Sequence, residues 1–189
     1  MTRKLCAVLT VMTSSFLFFS CDNFAFNLTF DSGFANGNGI SFGDVPQNIK
    51  ERVVYYAMRY AESDTYYKYG GQDPLRAIGI DCSGLVVMCY TYALEGTGYN
   101  LLLPDMSAAY MHENASDVTY NPEPGDLVFM GDTNSSTINH IGIFTRKIGS
   151  EVYFIDSTSS GSINGVSERH YSEDNKKIKS YGVMRLKRK

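Results

Sequence analysis

The sequence has no tryptophan, and only five prolines and four cysteines in 189 residues. With so little proline, and with 17 glycines in no fixed period, collagen-like and proline-rich architectures are excluded. No segment recurs at the intervals of roughly 20–50 residues that mark solenoids. Positive charge is in deficit: 17 Lys and Arg stand against 20 Asp and Glu, and the isoelectric point is about 5.6. That balance excludes a protein held on nucleic acid by phosphate contacts. The four cysteines and three histidines show no CxxC, HExxH or zinc-finger spacing, so neither a structural metal nor dithiol redox chemistry has support. No cofactor is implied. What is present is a folding composition, 43% hydrophobic and 20% charged, with 14 Tyr and 11 Phe supplying aromatic bulk. The length suits one domain with a short extension.

The extension is at the start. Arg3 and Lys4 precede an apolar run from Leu5 to Phe19 that Thr10, Thr13, Ser14 and Ser15 soften. It falls short of the roughly 20 apolar residues of a bilayer span and reads as a secretory signal over residues 1–20. Phe18-Phe19-Ser20-Cys21 resembles a bacterial lipoprotein box, which implies cleavage before Cys21 and a lipid anchor on that residue. Ordinary signal cleavage and a retained apolar segment are the alternatives. Cleavage removes two bases and no acid, taking the net charge from −3 to −5. Residues 21–45, which include Asn36-Gly37-Asn38-Gly39, read as a tether, although their Phe residues could instead pack onto the domain. The folded domain is then 46–189, exported to the cell envelope.

Within it, helical signals come first. Ile49, Val53, Tyr56, Ala57, Tyr60 and Ala61 share one face of a helix starting at Pro46 and running to about Ser63. Tyr67-Lys68-Tyr69-Gly70-Gly71 breaks the pattern, and 72–80 reads as a loop. A second helix, from Cys82 to about Glu95, carries a wide apolar stripe and is expected to lie centrally. A short helix is expected over about 106–113. The period then changes to two, with strands over 127–130, 140–145, 151–156 and 181–186, and a further short one near 165–167. Helices first and strands second predict an α+β fold, with the helix at 82 packed on a central antiparallel sheet.

Cys6 leaves with the signal and Cys21 carries the lipid, so two thiols remain. Cys82 and Cys89 are two helical turns apart, roughly 10 Å, too far for a disulfide. An exported thiol without a partner points to nucleophilic catalysis. Asp81-Cys82-Ser83-Gly84 supports this, because Asp81 is an N-cap residue and places Cys82 in the first turn. There the helix dipole and free N–H groups favour a thiolate and can hold an oxyanion. Gly84 is expected to keep the approach clear. Cys89, deeper on the apolar stripe, is expected to be inert. His140 opens the strand Ile141-Gly142-Ile143-Phe144 and is the candidate base. Asp156 ends Val152-Tyr153-Phe154-Ile155 and can orient His140 if the two strands pair; equally, it can simply close a strand into the loop at 157–162. His112 and His170 lie in polar segments and read as solvated.

DCSGLV (81–86), PGDLVF (124–129), NHIGIF (139–144) and YKYGG (67–71) together resemble the NlpC-type cell-wall cysteine peptidases. The resemblance spans about residues 47–189 and implies a papain-like fold with the nucleophile at a helix N-terminus. It also implies Cys82 as nucleophile, His140 as general base and Asp156 at the third, orienting position. Tyr67 matches a tyrosine beside the nucleophile, and Asp81 and Ser83 match residues that in some members bind the free amine of a stem peptide. The expected partners are therefore peptidoglycan stem peptides, and the expected reaction is cleavage of an amide bond, typically γ-D-glutamyl to a diamino acid. The alternatives are an amidase or esterase acting on another envelope molecule, and a non-catalytic peptidoglycan-binding lipoprotein. Leu103-Pro104-Asp105 lacks the basic residue the family commonly carries there, leaving Arg59 and Arg76 as candidates for a substrate carboxylate.

Overall fold

The computed structural model describes residues 40–41, 45–75 and 78–189. The signal segment, Cys21, most of the 21–45 tether and Arg76 lie outside them. The chain runs β1 (Ile40–Ser41), α1 (Gln47–Ala61), β2 (Tyr66–Tyr67), β3 (Gly79–Ile80), α2 (Cys82–Leu94), β4 (Tyr99–Leu101), α3 (Ala108–Asn114), β5 (Ser116–Thr119), β6 (Leu127–Met130), β7 (His140–Ile148), β8 (Glu151–Ser160), β9 (Ile163–Ser172), β10 (Ile178–Met184) and β11 (Leu186–Arg188). A six-stranded sheet in the order β5-β10-β6-β7-β8-β9 is antiparallel throughout. Two small sheets, β1-β11-β4 and the parallel pair β2-β3, flank it.

The α+β layering follows from which faces are apolar. Ile49, Val53, Ala57 and Tyr60 of α1 are buried, at the spacing of one helix face. In α2, Leu85, Val86, Val87, Cys89, Tyr90 and Ala93 have no exposure at all, so the helix is enclosed between α1 and the sheet. Arg52 of α1 donates to the Tyr92 and Glu95 carbonyls, placing a cation at the C-terminal end of α2, where the macrodipole favours it. Leu127, Phe129, Ile141, Ile143 and Ile155 face this helical core. Alternate residues of the same strands (Val128, Met130, Phe144, Val152 and Phe154) form a second core on the other face, flanked by Tyr171, Ile178 and Tyr181. Apolar demand on both faces is why these strands read as continuous apolar runs.

Several expectations change in detail. The short strand near 165–167 is the ten-residue β9. The predicted strand 181–186 divides between β10 and β11, and at the break Arg185 grips Asp117 of β5. β4 and β5 were not predicted. β5 is a polar edge strand, Ser-Asp-Val-Thr, with its pattern hidden by exposure on one side. The expected loop 72–80 carries β3, which is held by Ser157 Oγ donating to the Ile80 carbonyl at 2.7 Å and by Gly79 N donating to Asp73 at 3.0 Å. PGD at 124–126 is a structural fastening: buried Asp126 lies 2.8 Å from Lys50 Nζ, and Tyr90 donates to the Gly125 carbonyl.

The loop 67–71 is locked onto the first turn of α2. Gly70 N donates to Asp81 Oδ2 at 2.8 Å and Asp81 N donates to the Gly71 carbonyl at 3.0 Å. A Cβ on Gly84 would stand 2.1 Å from that carbonyl oxygen. Gly84 therefore exists to let two backbones touch, and not, as its sequence position suggested, to clear the approach to the thiol. The prediction is that Gly84→Ala destabilises the fold by about 1–3 kcal/mol in denaturant unfolding, because the obstructing atom is main chain. A change below about 0.5 kcal/mol, the size of a neutral surface substitution, would contradict it.

Candidate active site

Cys82 is the first residue of α2, capped by Asp81. Asp81 Oδ1 accepts from Gly84 N at 2.7 Å and from Ser83 Oγ at 2.9 Å, while Oδ2 accepts from Gly70 N. The predicted pair Asp81 and Ser83 is thus bonded together at the foot of the helix. Three of the roughly four acceptor positions of this carboxylate are taken by the protein. The N–H groups of Cys82 and Ser83, in the first turn, have no intrahelical acceptor and point out of the helix end. Tyr67, on β2, feels the charge of both Cys82 and Asp81. Burial first, and then those charges, push its phenol above the usual range, so it stays an O–H donor.

His140 comes from the first position of β7 and Asp156 from β8. In the register, Ile143 faces Ile155, which sets Asp156 beside the start of β7; the expected strand end at 156 is mid-strand, because β8 continues to Ser160 by pairing with β9. His140 Nε2 lies 2.5 Å from Asp156 Oδ2. Asp156 is fully buried, whereas 21% of the His140 side chain is exposed, so the ring meets solvent and its orienter does not. With Nε2 held by the carboxylate, Nδ1 is the ring nitrogen left over, and the Cys82 side chain lies close enough to the imidazole to favour its protonated form. Burial opposes the imidazolium, but hydrogen bonds and charge from Asp156 and Cys82 outweigh it and raise the His140 pKa to about 9. A protonated ring beside a thiol side chain at a helix N-terminus is an arrangement that can support cysteine acyl transfer.

The structure therefore brings together Cys82, His140, Asp156, Tyr67, Asp81 and Ser83 from four separate stretches of chain. It does not bring in Arg59, which pairs with Glu62 on the exposed side of α1. His112, expected to be solvated, is half-buried with its ring 5.0 Å from that of Phe129; His170 is exposed and stacks on Tyr153. Cys89 is fully buried, and burial pushes its thiol well up. Among the described residues no three His, Cys, Asp or Glu side chains converge as metal ligands would. A surface hollow of about 370 Å³ lies between the last turn of α2, Leu101–Pro104 and β11, away from all six site residues.

The residue that sequence reasoning missed is Arg169, on β9, whose guanidinium forks onto Asp156. A signal for it existed: a carboxylate placed next to an imidazole and buried calls for a countercharge, and β9 carries the nearest one.

Because the folded pKa of His140 is raised from 6.5 to about 9, its contacts stabilise the fold fully below pH 6.5 and are lost as pH rises through about 9. Wild type should therefore lose more stability than His140→Gln between pH 6 and 10. The extra loss should be on the order of 1–3 kcal/mol at about 1.4 kcal/mol per unit, measured by urea unfolding. Parallel pH curves for the two proteins would contradict this.

Comparison with known proteins agrees with the geometry. Residues 64–183 match the NlpC/P60 family. The gamma-DL-glutamyl hydrolase of Bacillus subtilis (strain 168) is 30% identical over 141 residues, covering 75% of this chain and 30% of that protein. The chain thus spans less than a third of the length of this curated relative. Among solved structures, NlpC1 from Trichomonas vaginalis superposes with a TM-score of 0.53 at 17% identity, over 76% of this chain and 46% of that one. A lipoprotein-like NLP/P60 protein from Staphylococcus aureus subsp. aureus Mu50 gives a TM-score of 0.46 at 18% identity, over 75% of this chain and 43% of that one. The fold, the four motifs and the family match over most of the domain converge on one conclusion: the chain belongs to the NlpC/P60 family.

Proposed function

We propose that this protein is a cysteine endopeptidase of the cell wall, hydrolysing an amide bond in peptidoglycan stem peptides, with the γ-D-glutamyl bond to a diamino acid as its target. The observation that carries the reading is one imidazole bonded to a buried carboxylate, Asp156, with the Cys82 side chain near enough to act on its charge. The relative named as a gamma-DL-glutamyl hydrolase supports a γ-glutamyl bond as the class cut. In this reading the Cys82 sulfur attacks the scissile carbonyl carbon and the carbonyl oxygen becomes an oxyanion. The free N–H groups at the start of α2 and the Tyr67 hydroxyl face that charge. His140 gives its proton to the leaving amine as the C–N bond breaks, leaving a thioester on Cys82. His140 then takes a proton from water, which attacks the thioester and releases the carboxylate product and the thiol. Asp81 and Ser83 would receive the free amine of the stem peptide, and Asp81 has one acceptor position left for it.

Export and anchoring belong to the same reading. The apolar stretch at 5–19 and the box ending at Cys21 support a signal peptide and a lipidated N-terminus, which would hold the enzyme at the membrane facing the wall. Incubation with defined muropeptides, read by mass spectrometry, tests the proposal. The expected product is a pair of fragments separated at the γ-D-glutamyl bond, with no cleavage by Cys82→Ala. Cleavage of a different bond would refute the specificity, and intact muropeptides with wild-type protein would refute the activity.

A further inference from the structure

Asp156 is an anion with no solvent exposure. A lone carboxylate in such a place costs several kcal/mol of lost hydration. Arg169 answers it from the neighbouring strand. Its Nε donates to Asp156 Oδ1 at 2.8 Å and its Nη2 donates to Oδ2, a bidentate fork. The same Nη2 lies 3.5 Å from His140 Nε2. The guanidinium is itself fixed: Nη1 donates to the Tyr171 hydroxyl at 3.3 Å, and its carbon lies 5.5 Å and 5.6 Å from the Phe154 and Tyr171 ring centroids. Only 15% of the Arg169 side chain is exposed. The fork uses both carboxylate oxygens, so it sets the plane of the carboxylate as well as its charge.

We propose that Arg169 is a positioning residue for the Cys82–His140 pair, acting through Asp156. It holds the carboxylate in the plane that meets Nε2, and its positive charge offsets part of the carboxylate field at the ring. His140 therefore faces one member of an ion pair instead of an isolated anion. This tempers the imidazolium, which must remain acidic enough to protonate a leaving amine. The charged and titratable groups around the carboxylate are His140 from β7 and Arg169 and Tyr171 from β9. Cys82 from α2 also acts on the ring, and Tyr67 and Asp81 stand within electrostatic range of Cys82 and of each other. Among the described residues Arg169 is the cation that reaches the ring, with Nη2 3.5 Å from Nε2.

The inference rests on the reading of Cys82 and His140 as a working pair, but its test needs no substrate. The rate of Cys82 alkylation by iodoacetamide is followed against pH, and its upper transition reports loss of the imidazolium proton. Cys82→Ala supplies the blank, and thermal melting shows that each variant is folded. Asp156→Asn leaves a cation 3.5 Å from Nε2 with no anion between them, so the transition should fall by about one pH unit or more. Adding Arg169→Gln to Asp156→Asn should restore at least half of that fall, because the replacement pair is again neutral. Arg169→Gln alone should move the transition upward, and Arg169→Lys, which keeps the charge but not the fork, should move it by less than half as much. Should Arg169→Gln alone not fold, the comparison of Asp156→Asn with the double variant still decides. A double variant that titrates like Asp156→Asn, or a Lys variant that moves as the Gln variant does, would overturn the proposal. Muropeptide cleavage is scored separately, so a failure of the substrate assignment leaves this result readable.

Discussion

The 2.5 Å contact between Asp156 and the Nε2 of His140 is the constraint that organises this molecule around its site. It selects which ring nitrogen faces the thiol, and it can form only if β7 and β8 pair in one register. A slip of one residue would turn Asp156 to the opposite face of the sheet, toward the helices. The register is secured by side chains on both faces. Ile143 and Ile155 go into the helical core, while Phe144 and Phe154 go into the second core. The residue after Asp156 contributes as well, since Ser157 bonds the Ile80 carbonyl two positions before Cys82. The strand that supplies the orienting carboxylate is thereby tied to the segment that supplies the sulfur.

A second set of contacts fixes the thiol from the helix side. Asp81 caps α2, holds Ser83 and binds Gly70, and the Gly71 carbonyl presses on Gly84. Two motifs separated by a nine-residue loop, YKYGG and DCSG, are thus one packing unit. Their glycines make room for backbone contact, and Tyr67 is delivered beside Cys82 by the same loop. Burying a chain of charged groups is costly, and such chains persist where each member is bonded. Here the imidazole is bonded to the carboxylate and the carboxylate to the guanidinium.

Much of this was legible in the sequence because it depends on local chemistry. Asp81 before an apolar helix reads as a cap, and a cysteine directly after a cap reads as an activated thiol. The helical face of α1 and the apolar runs of β6, β7 and β8 follow from periodicity and composition. What was not legible depends on long-range partners. β9 reads INGVSERHYS, mostly polar with one glycine, so its ten-residue length appears only when it pairs with β8. Arg169 looks like any surface base until Asp156 is seen to be buried. The role of Gly84 was misread because its neighbour in space, Gly71, is thirteen positions away in the chain. His112 stands in a polar stretch, yet it packs on Phe129 because α3 folds back over the sheet.

The charge state of one imidazole is where packing, register and chemistry meet. NMR titration of ring-labelled His140 in the full chain measures it directly. The ring should carry protons on both nitrogens at pH 7.5, titrate with a midpoint of about 9, and shift downward in Asp156→Asn. A ring that is neutral at pH 7.5 and titrates at its ordinary value of 6.5 would contradict the arrangement described for Cys82, His140 and Asp156.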